Sequence, residues 1–273
     1  MEKIDTGYED WLLIQERELI KLSRDRLSKW PYASVQPNQL EKDLHDISRA
    51  FFLAAEWHRW ELRDNSDPYI THPIAVAQIL LEEFDSTTAR RVMGALLHDV
   101  KESKTISLER ISEELDPGIA KNVDALSKKD LEEYLALHEE PFYRTQVIMD
   151  AVFLSWIKIL PHNQEVKIQS FASVYFGKKL RQRRDDDTFG NLDNLDDDEL
   201  AEKLADRIHN LRTLSYCTKE KRKKILLETK KYFLEVAEKR FPNDGYILLV
   251  LEIEKLERES IGNVVEKILE YAE

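Results

Sequence analysis

One cysteine, Cys217, stands in 273 residues, so no internal disulfide framework is available and a reducing compartment fits the chain. Seven glycines are too few for a turn-rich sandwich and favour long helices with short connections. Nowhere does an apolar run approach the roughly 20 residues that a bilayer span requires. The opening stretch MEKIDTGYEDW is acidic and has no apolar core of signal-peptide length. Positive charge is in the minority: 41 Lys and Arg against 53 Asp and Glu leave a formal net charge of −12. That sign is wrong for a broad nucleic-acid or anionic-membrane surface, while a local basic pocket is compatible with it. The expectation is a cytoplasmic protein with neither nucleic acid nor membrane among its partners.

Period-two alternation is equally scarce, whereas apolar spacings of three and four recur in almost every window, so the fold class is all-α. Leu44, Ile47, Phe51, Ala54 and His58 mark one face of a core helix, which the turn-forming segment RDNSDPY ends. In THPIAVAQILLEEF, Thr71 is placed to cap a helix, Pro73 is tolerated in its first turn, and Ala77, Leu80, Leu81 and Phe84 form its buried stripe. Helices are predicted over about 86–100 and 108–115, the second ended by Pro117 and Gly118. Further helices are predicted over about 200–216, 219–240 and 245 to the end. Between them, RTQVIMDAVFLSWIKIL reads as a buried helix, and VKIQSFASVYFGKKL is open between helix and hairpin. RQRRDDDTFGNLDNLDDDEL reads as a solvated mobile loop, with a lid over a site as the sharper alternative.

Chemistry concentrates in GALLHDVKES, residues 94–103. On a helix, Val92, Ala95, Leu96 and Asp99 share one face, so the pattern points an aspartate toward the core with His98 adjoining it. A buried carboxylate is costly unless it is paired or bound to a metal. Two more segments supply partners. His72 sits in the first turn of YITHPIAVAQIL, and in AEKLADRIHNLRTL the residues Asp206, Asn210 and Thr213 form a polar face beside the apolar stripe Leu204, Ile208 and Leu211. His72, His98, Asp99 and Asp206 make a set of two imidazoles and two carboxylates, which suits Mn²⁺, Fe²⁺ or Zn²⁺ with a position left for water. A lone His-Asp pair is ordinarily a chance feature of a half-buried helix; the three segments together lift it above that.

The order of these motifs resembles the HD-domain metal phosphohydrolases, and more narrowly the hydrolase domain of RelA/SpoT-type alarmone enzymes. HRWELRDNSDPYITHP, GALLHDVKES, KLADRIHNLRTL and ETKKYFLEVAEKRF carry the resemblance, over about residues 44–126 and 200–241. It implies a single HD-type multi-helix bundle over 1–273, with a long charged insertion at about 130–199 and a C-terminal helix at about 245–273. By the same resemblance His72, His98, Asp99 and Asp206 would bind a divalent metal, usually manganese. Glu102 would activate water, Arg63 would pack on guanine, and Asn210 and Thr213 would line the nucleoside pocket. His58 and His209 are read as structural.

The activity so implied is hydrolysis of the 3′-pyrophosphate of guanosine tetra- or pentaphosphate. So anionic a substrate needs cations, for which Lys101, Arg207 and Arg212 are candidates. Ser103 stands where the family has a second acid, and Asp64-Asn65 follows Arg63 without a cation. With no synthetase-like sequence following, the expectation is a stand-alone hydrolase. The alternatives are an HD phosphohydrolase acting on another nucleotide or phosphoester, and a weakly active metal- and nucleotide-binding regulator.

Overall fold

The structure, a computed structural model, describes residues 6–29, 37–100, 107–126 and 181–270. Lys101, Glu102, Ser103 and the segments RTQVIMDAVFLSWIKIL and VKIQSFASVYFGKKL lie outside the described residues. The chain divides into two compact units, Met1–Ser127 with Leu192–Glu273, and Lys128–Asn191. Among the described residues the only β-pairing is an isolated bridge between Leu62 and Pro68, and the architecture is all-α. No helix searched is long and apolar enough to cross a membrane.

In the first unit, α1 (Thr6–Leu27), α2 (Pro37–Trp57), α3 (Thr71–Glu82), α4 (Ala89–Leu97), α5 (Leu108–Glu114) and α6 (Pro117–Leu126) precede α7 (Asp197–Arg212), α8 (Lys219–Glu228), α9 (Leu234–Arg240) and α10 (Gly245–Glu270). The centre of the bundle is α4, buried at every residue but Arg90 and packed on α2, α3, α6 and α7. Ile47, Phe51, Leu80, Leu96, Leu204 and Ile208 are fully buried around it, each such side chain stabilising the fold by about 1.5–3 kcal/mol relative to exposure.

Two features set the distance between α4 and α7. Arg91, itself buried, bonds Asp198 through Nε at 2.6 Å and the Ser86 carbonyl through Nη1 at 2.9 Å. Three residues further along, Gly94 lies under the buried carboxyl of Glu202, and a Cβ built there would fall well inside 3.0 Å of that carboxyl's three terminal atoms. Glycine at this position lets two helices approach until the next turns of each, carrying His98 and Asp206, come together.

Capping explains several boundaries. Thr88 starts α4 by accepting from the Arg91 amide, so the helix begins later than the sequence pattern from residue 86 suggests. Thr71 does not cap α3: its hydroxyl donates to the Pro68 carbonyl at 2.8 Å, and the preceding turn already runs in helical conformation at Ile70. Pro117 and Gly118 open α6 as well as following α5, because proline is well suited to a first helical turn. The charged stretch predicted as a loop also differs. Residues 181–190 are helical, and Asp196 with Glu199 form a capping box that starts α7 at Asp197 rather than at residue 200. Its acids Asp197, Asp198 and Glu199 sit at the positive end of the helix, so what reads as a solvated charge run is in part a helix start. The predicted helix over 219–240 is interrupted by one π-helical turn at Thr229–Phe233, and α1 is an amphipathic helix not assigned from the sequence.

Candidate metal centre and adjoining pocket

Between α3, the end of α4 and α7, four side chains turn their polar atoms toward one point. His98 Nε2 lies 3.2 Å from His72 Nε2, 3.2 Å from Asp99 Oδ2 and 3.8 Å from Asp206 Oδ1. His72 Nε2 lies 3.5 Å from Asp99 Oδ2 and 3.2 Å from Asp206 Oδ1. Ligands about 2.1 Å from a shared ion stand roughly 3.0 to 3.4 Å apart at octahedral and tetrahedral angles. The donor set therefore fits one divalent ion: His72, His98 and Asp99 form the tight group, and Asp206 faces both imidazoles.

The outer ring atoms fix which nitrogen faces inward. His98 Nδ1 donates to the Ala95 carbonyl at 2.8 Å, which turns Nε2 toward the centre. His72 Nδ1 is 2.8 Å from His209 Nδ1. Burial, and then the neighbouring His72, push His209 down to about 3, so it stays neutral and pairs with His72 through the two Nδ1 atoms. Tyr69 donates its hydroxyl to Asp99 Oδ2 at 2.8 Å. These two residues were not assigned to the site from the sequence. The signal for His209 was available, since it lies three residues after Asp206 on the same helical face; that for Tyr69 depends on the turn before α3.

Burial works against charge here and the neighbours outweigh it. Desolvation pulls His98 down, but the Asp99 and Asp206 carboxylates lift it to about 9. Desolvation raises Asp99 and Asp206, but the two imidazoles hold both carboxyls below the ordinary carboxylate range. At His72 burial wins and the pKa falls.

A solvent-open pocket adjoins this centre, lined by Arg63, Asp64, Asn65, Asn210, Thr213, Tyr216, Cys217, Lys221 and Ile225. Arg63 is set by a tight turn in which its amide bonds the Asp67 carbonyl at 2.9 Å and Ser66 adopts φ 68. Its guanidinium lies 5.7 Å from the Tyr69 ring centre. Asn210 Nδ2 donates to Asp206 Oδ1 at 2.7 Å, so one side chain belongs to both the centre and the pocket. Thr213 lies one turn further on the same face.

Arg207 and Arg212, candidates for gripping phosphate, point elsewhere. The Arg207 guanidinium is buried 4.3 Å from the Phe233 ring centre and 3.6 Å from Glu228. It is one residue round the helix from Asp206, on the face that packs inward. Arg212 bonds Glu83 at 2.6 and 2.8 Å and Glu252 at 2.7 Å. His58 is buried against Tyr69 and bonds Glu61 at 2.6 Å, outside the converging set.

Residues 50–146 match the model of the HD domain family, a span that includes His72, His98 and Asp99 but not Asp206. The guanosine-3′,5′-bis(diphosphate) 3′-pyrophosphohydrolase of Haemophilus influenzae is 30% identical over 185 residues, 68% of this chain and 21% of that protein. A GTP pyrophosphokinase of Streptomyces coelicolor is 29% identical over 195 residues, 71% of this chain and 18% of that protein. The match thus spans about a fifth of these relatives' length. Among solved structures, one described as a metazoan ortholog of SpoT that hydrolyzes ppGpp superposes with a TM-score of 0.54 at 21% identity, over 77% of this chain and 94% of that one. That likeness supports the same all-α fold.

Proposed function

We propose that this chain, which carries an HD domain similar to that of RelA/SpoT-type proteins, is a metal-dependent phosphohydrolase that removes the 3′-pyrophosphate of guanosine tetra- or pentaphosphate. Water adds to the phosphorus next to the ribose, the bond from that phosphorus to O3′ breaks, and the products are pyrophosphate and GDP or GTP. The observation that carries the reading is the sharing of α7: Asp206 faces the imidazoles of His72 and His98, while Asn210 and Thr213 line the pocket beside it. A base and ribose in the pocket would leave the 3′ substituent facing the four ligand residues.

His72, His98, Asp99 and Asp206 would hold a divalent ion, which would supply Lewis acidity at the phosphoryl oxygens and a more acidic water; Mn²⁺, Fe²⁺ and Zn²⁺ all suit this donor set. The chain's own groups do the rest. His98 and His72 are held with Nε2 inward by Ala95 and His209, and Tyr69 orients Asp99. Arg63 offers a planar cation to the face of a purine. Glu102 is assigned the proton from the attacking water, with Ser103 able to hold that water but not to act as a base near neutrality. Lys101 is assigned to the transferred pyrophosphate.

One observation favours a second reading. Asp64 places a carboxylate in the pocket, which leaves an HD phosphohydrolase with a different nucleotide preference as the alternative. The test is pyrophosphate release from guanosine tetraphosphate with Mn²⁺, for the parent and Asp99→Ala. Release by the parent alone is expected. No release by the parent, with calorimetry showing Mn²⁺ bound, would overturn the alarmone assignment and favour another nucleotide.

A further inference from the structure

With Arg207 and Arg212 engaged elsewhere, the pocket has two cationic side chains among its lining residues, Arg63 and Lys221. Arg63 faces Tyr69 and belongs to the base. Lys221 lies on the opposite wall, at the start of α8, where Thr218 caps the helix by accepting from the Lys221 amide. Arg222, the next residue, bonds the Cys217 carbonyl at 2.9 Å and also the Ser215 carbonyl, which ties this helix start to the loop after α7. The backbone of Lys221 is thus fixed while its side chain is half exposed. Its ammonium reaches across the pocket to Asp64 Oδ2 at 2.6 Å, and Cys217 Sγ approaches the same oxygen at 3.5 Å.

We propose that Lys221 grips the 5′-phosphates of the nucleotide, and that Asp64 is a built-in competing anion which those phosphates displace. This deepens the function proposed above and rests on it. Three observations support it. First, the position is right: Asp206 and Thr213 are separated by roughly 10 Å along the axis of α7 and its cap, and Tyr216, Cys217 and Lys221, which follow Thr213 in the chain, line the same pocket as Asn210. A nucleotide with its 3′ substituent at the ligand residues directs its 5′ substituent toward that far rim. Second, the exchange is easy, because Asp64 and Lys221 are 55% and 52% exposed and an ion pair so open to water is weakly held. Third, the charges favour it, since a di- or triphosphate carries more negative charge than one carboxylate and offers an ammonium several acceptor oxygens.

Calorimetric titration of the full chain with GDP and with guanosine tests this, because neither carries a 3′-pyrophosphate to be hydrolysed. The parent should bind GDP more tightly than guanosine. Lys221→Gln should weaken GDP roughly tenfold and leave guanosine unchanged, consistent with loss of a charge-assisted contact. Asp64→Asn should tighten GDP several-fold by removing the competing anion. In hydrolysis, Lys221→Gln should raise KM for guanosine tetraphosphate more than it lowers kcat. Parent-like GDP binding by Lys221→Gln, or equal loss of GDP and guanosine, would overturn the assignment. If the parent still hydrolyses guanosine tetraphosphate in that case, only the role of Lys221 falls; if the parent neither binds GDP nor hydrolyses, the alarmone reading falls with it.

Discussion

Gly94→Ala is the substitution whose sign depends most directly on how α4 meets α7. In an ordinary helix interior the exchange gains about 1 kcal/mol, because alanine loses less backbone freedom and covers the helix better than glycine. Here the new methyl would strike the Glu202 carboxyl, which is 1% exposed and already bonded by Asn122 Nδ2 at 3.3 Å. Restoring ordinary contact requires a shift of about 1 Å, and overpacking of this kind costs about 1–3 kcal/mol. The net effect is a loss of up to about 2 kcal/mol in the parent. In a Glu202→Ala background the struck atoms are gone, and the same change should gain about 1 kcal/mol. A four-protein denaturation cycle followed by circular dichroism measures the coupling, expected at about 1–3 kcal/mol. His98 lies one turn beyond Gly94, so Mn²⁺ affinity should fall in Gly94→Ala and recover in the double variant. Equal stabilisation by Gly94→Ala in both backgrounds would show that Glu202 does not hold the helices at this spacing.

Two further expectations follow from buried polar groups. His209→Ala removes the hydrogen-bond partner of His72 Nδ1 while leaving the four converging side chains in place, so Mn²⁺ affinity by calorimetry should fall about 10–100-fold; parent-like affinity would return His209 to a purely structural role. Burial lifts the Glu202 carboxyl well above its ordinary value of 4.5, so the folded chain keeps this proton after the unfolded chain has lost it. Stability is therefore drawn down as pH rises above about 4.5 and continues to fall toward the raised pKa. Glu202→Gln should accordingly stabilise the protein by on the order of 1 kcal/mol or more at pH 7, at about 1.4 kcal/mol per pKa unit, and change little at pH 4. A gain of the same size at both values would contradict this.

The helical class and the convergence of His72, His98, Asp99 and Asp206 were legible because both rest on spacing along the chain. Apolar residues three and four apart define a face, and a polar residue on that face requires a partner. What was not legible rests on direction. Arg207 adjoins Asp206 in sequence, but one residue of helix turns it about 100° away, onto Phe233 and Glu228. Thr71 has the composition of a cap, yet the helical turn before it leaves no free amide for its hydroxyl to serve. Asp196 and Glu199 lie in an acidic run where composition suggests loop, and only their spacing of three distinguishes a capping box. Lys221 escaped notice because its relation to the pocket depends on the reversal of the chain between α7 and α8. His209 had the right spacing, but an imidazole that orients another leaves no mark in composition.

The four converging side chains are also ordered in time. His72, His98 and Asp99 leave the ribosome more than a hundred residues before Asp206, with the whole of the second compact unit, Lys128–Asn191, encoded between them. At synthesis rates of about 5–20 residues per second, that interval lasts roughly 5 to 20 s. Throughout it the nascent chain presents two histidines and one aspartate without the Asp206 carboxylate that faces them, and α4 lacks the helix that buries its Gly94 face. Asp206 and the pocket residues Asn210 and Thr213 then arrive on one helix within a second or two. The converging cluster and the pocket beside it therefore form together, late in the making of the chain.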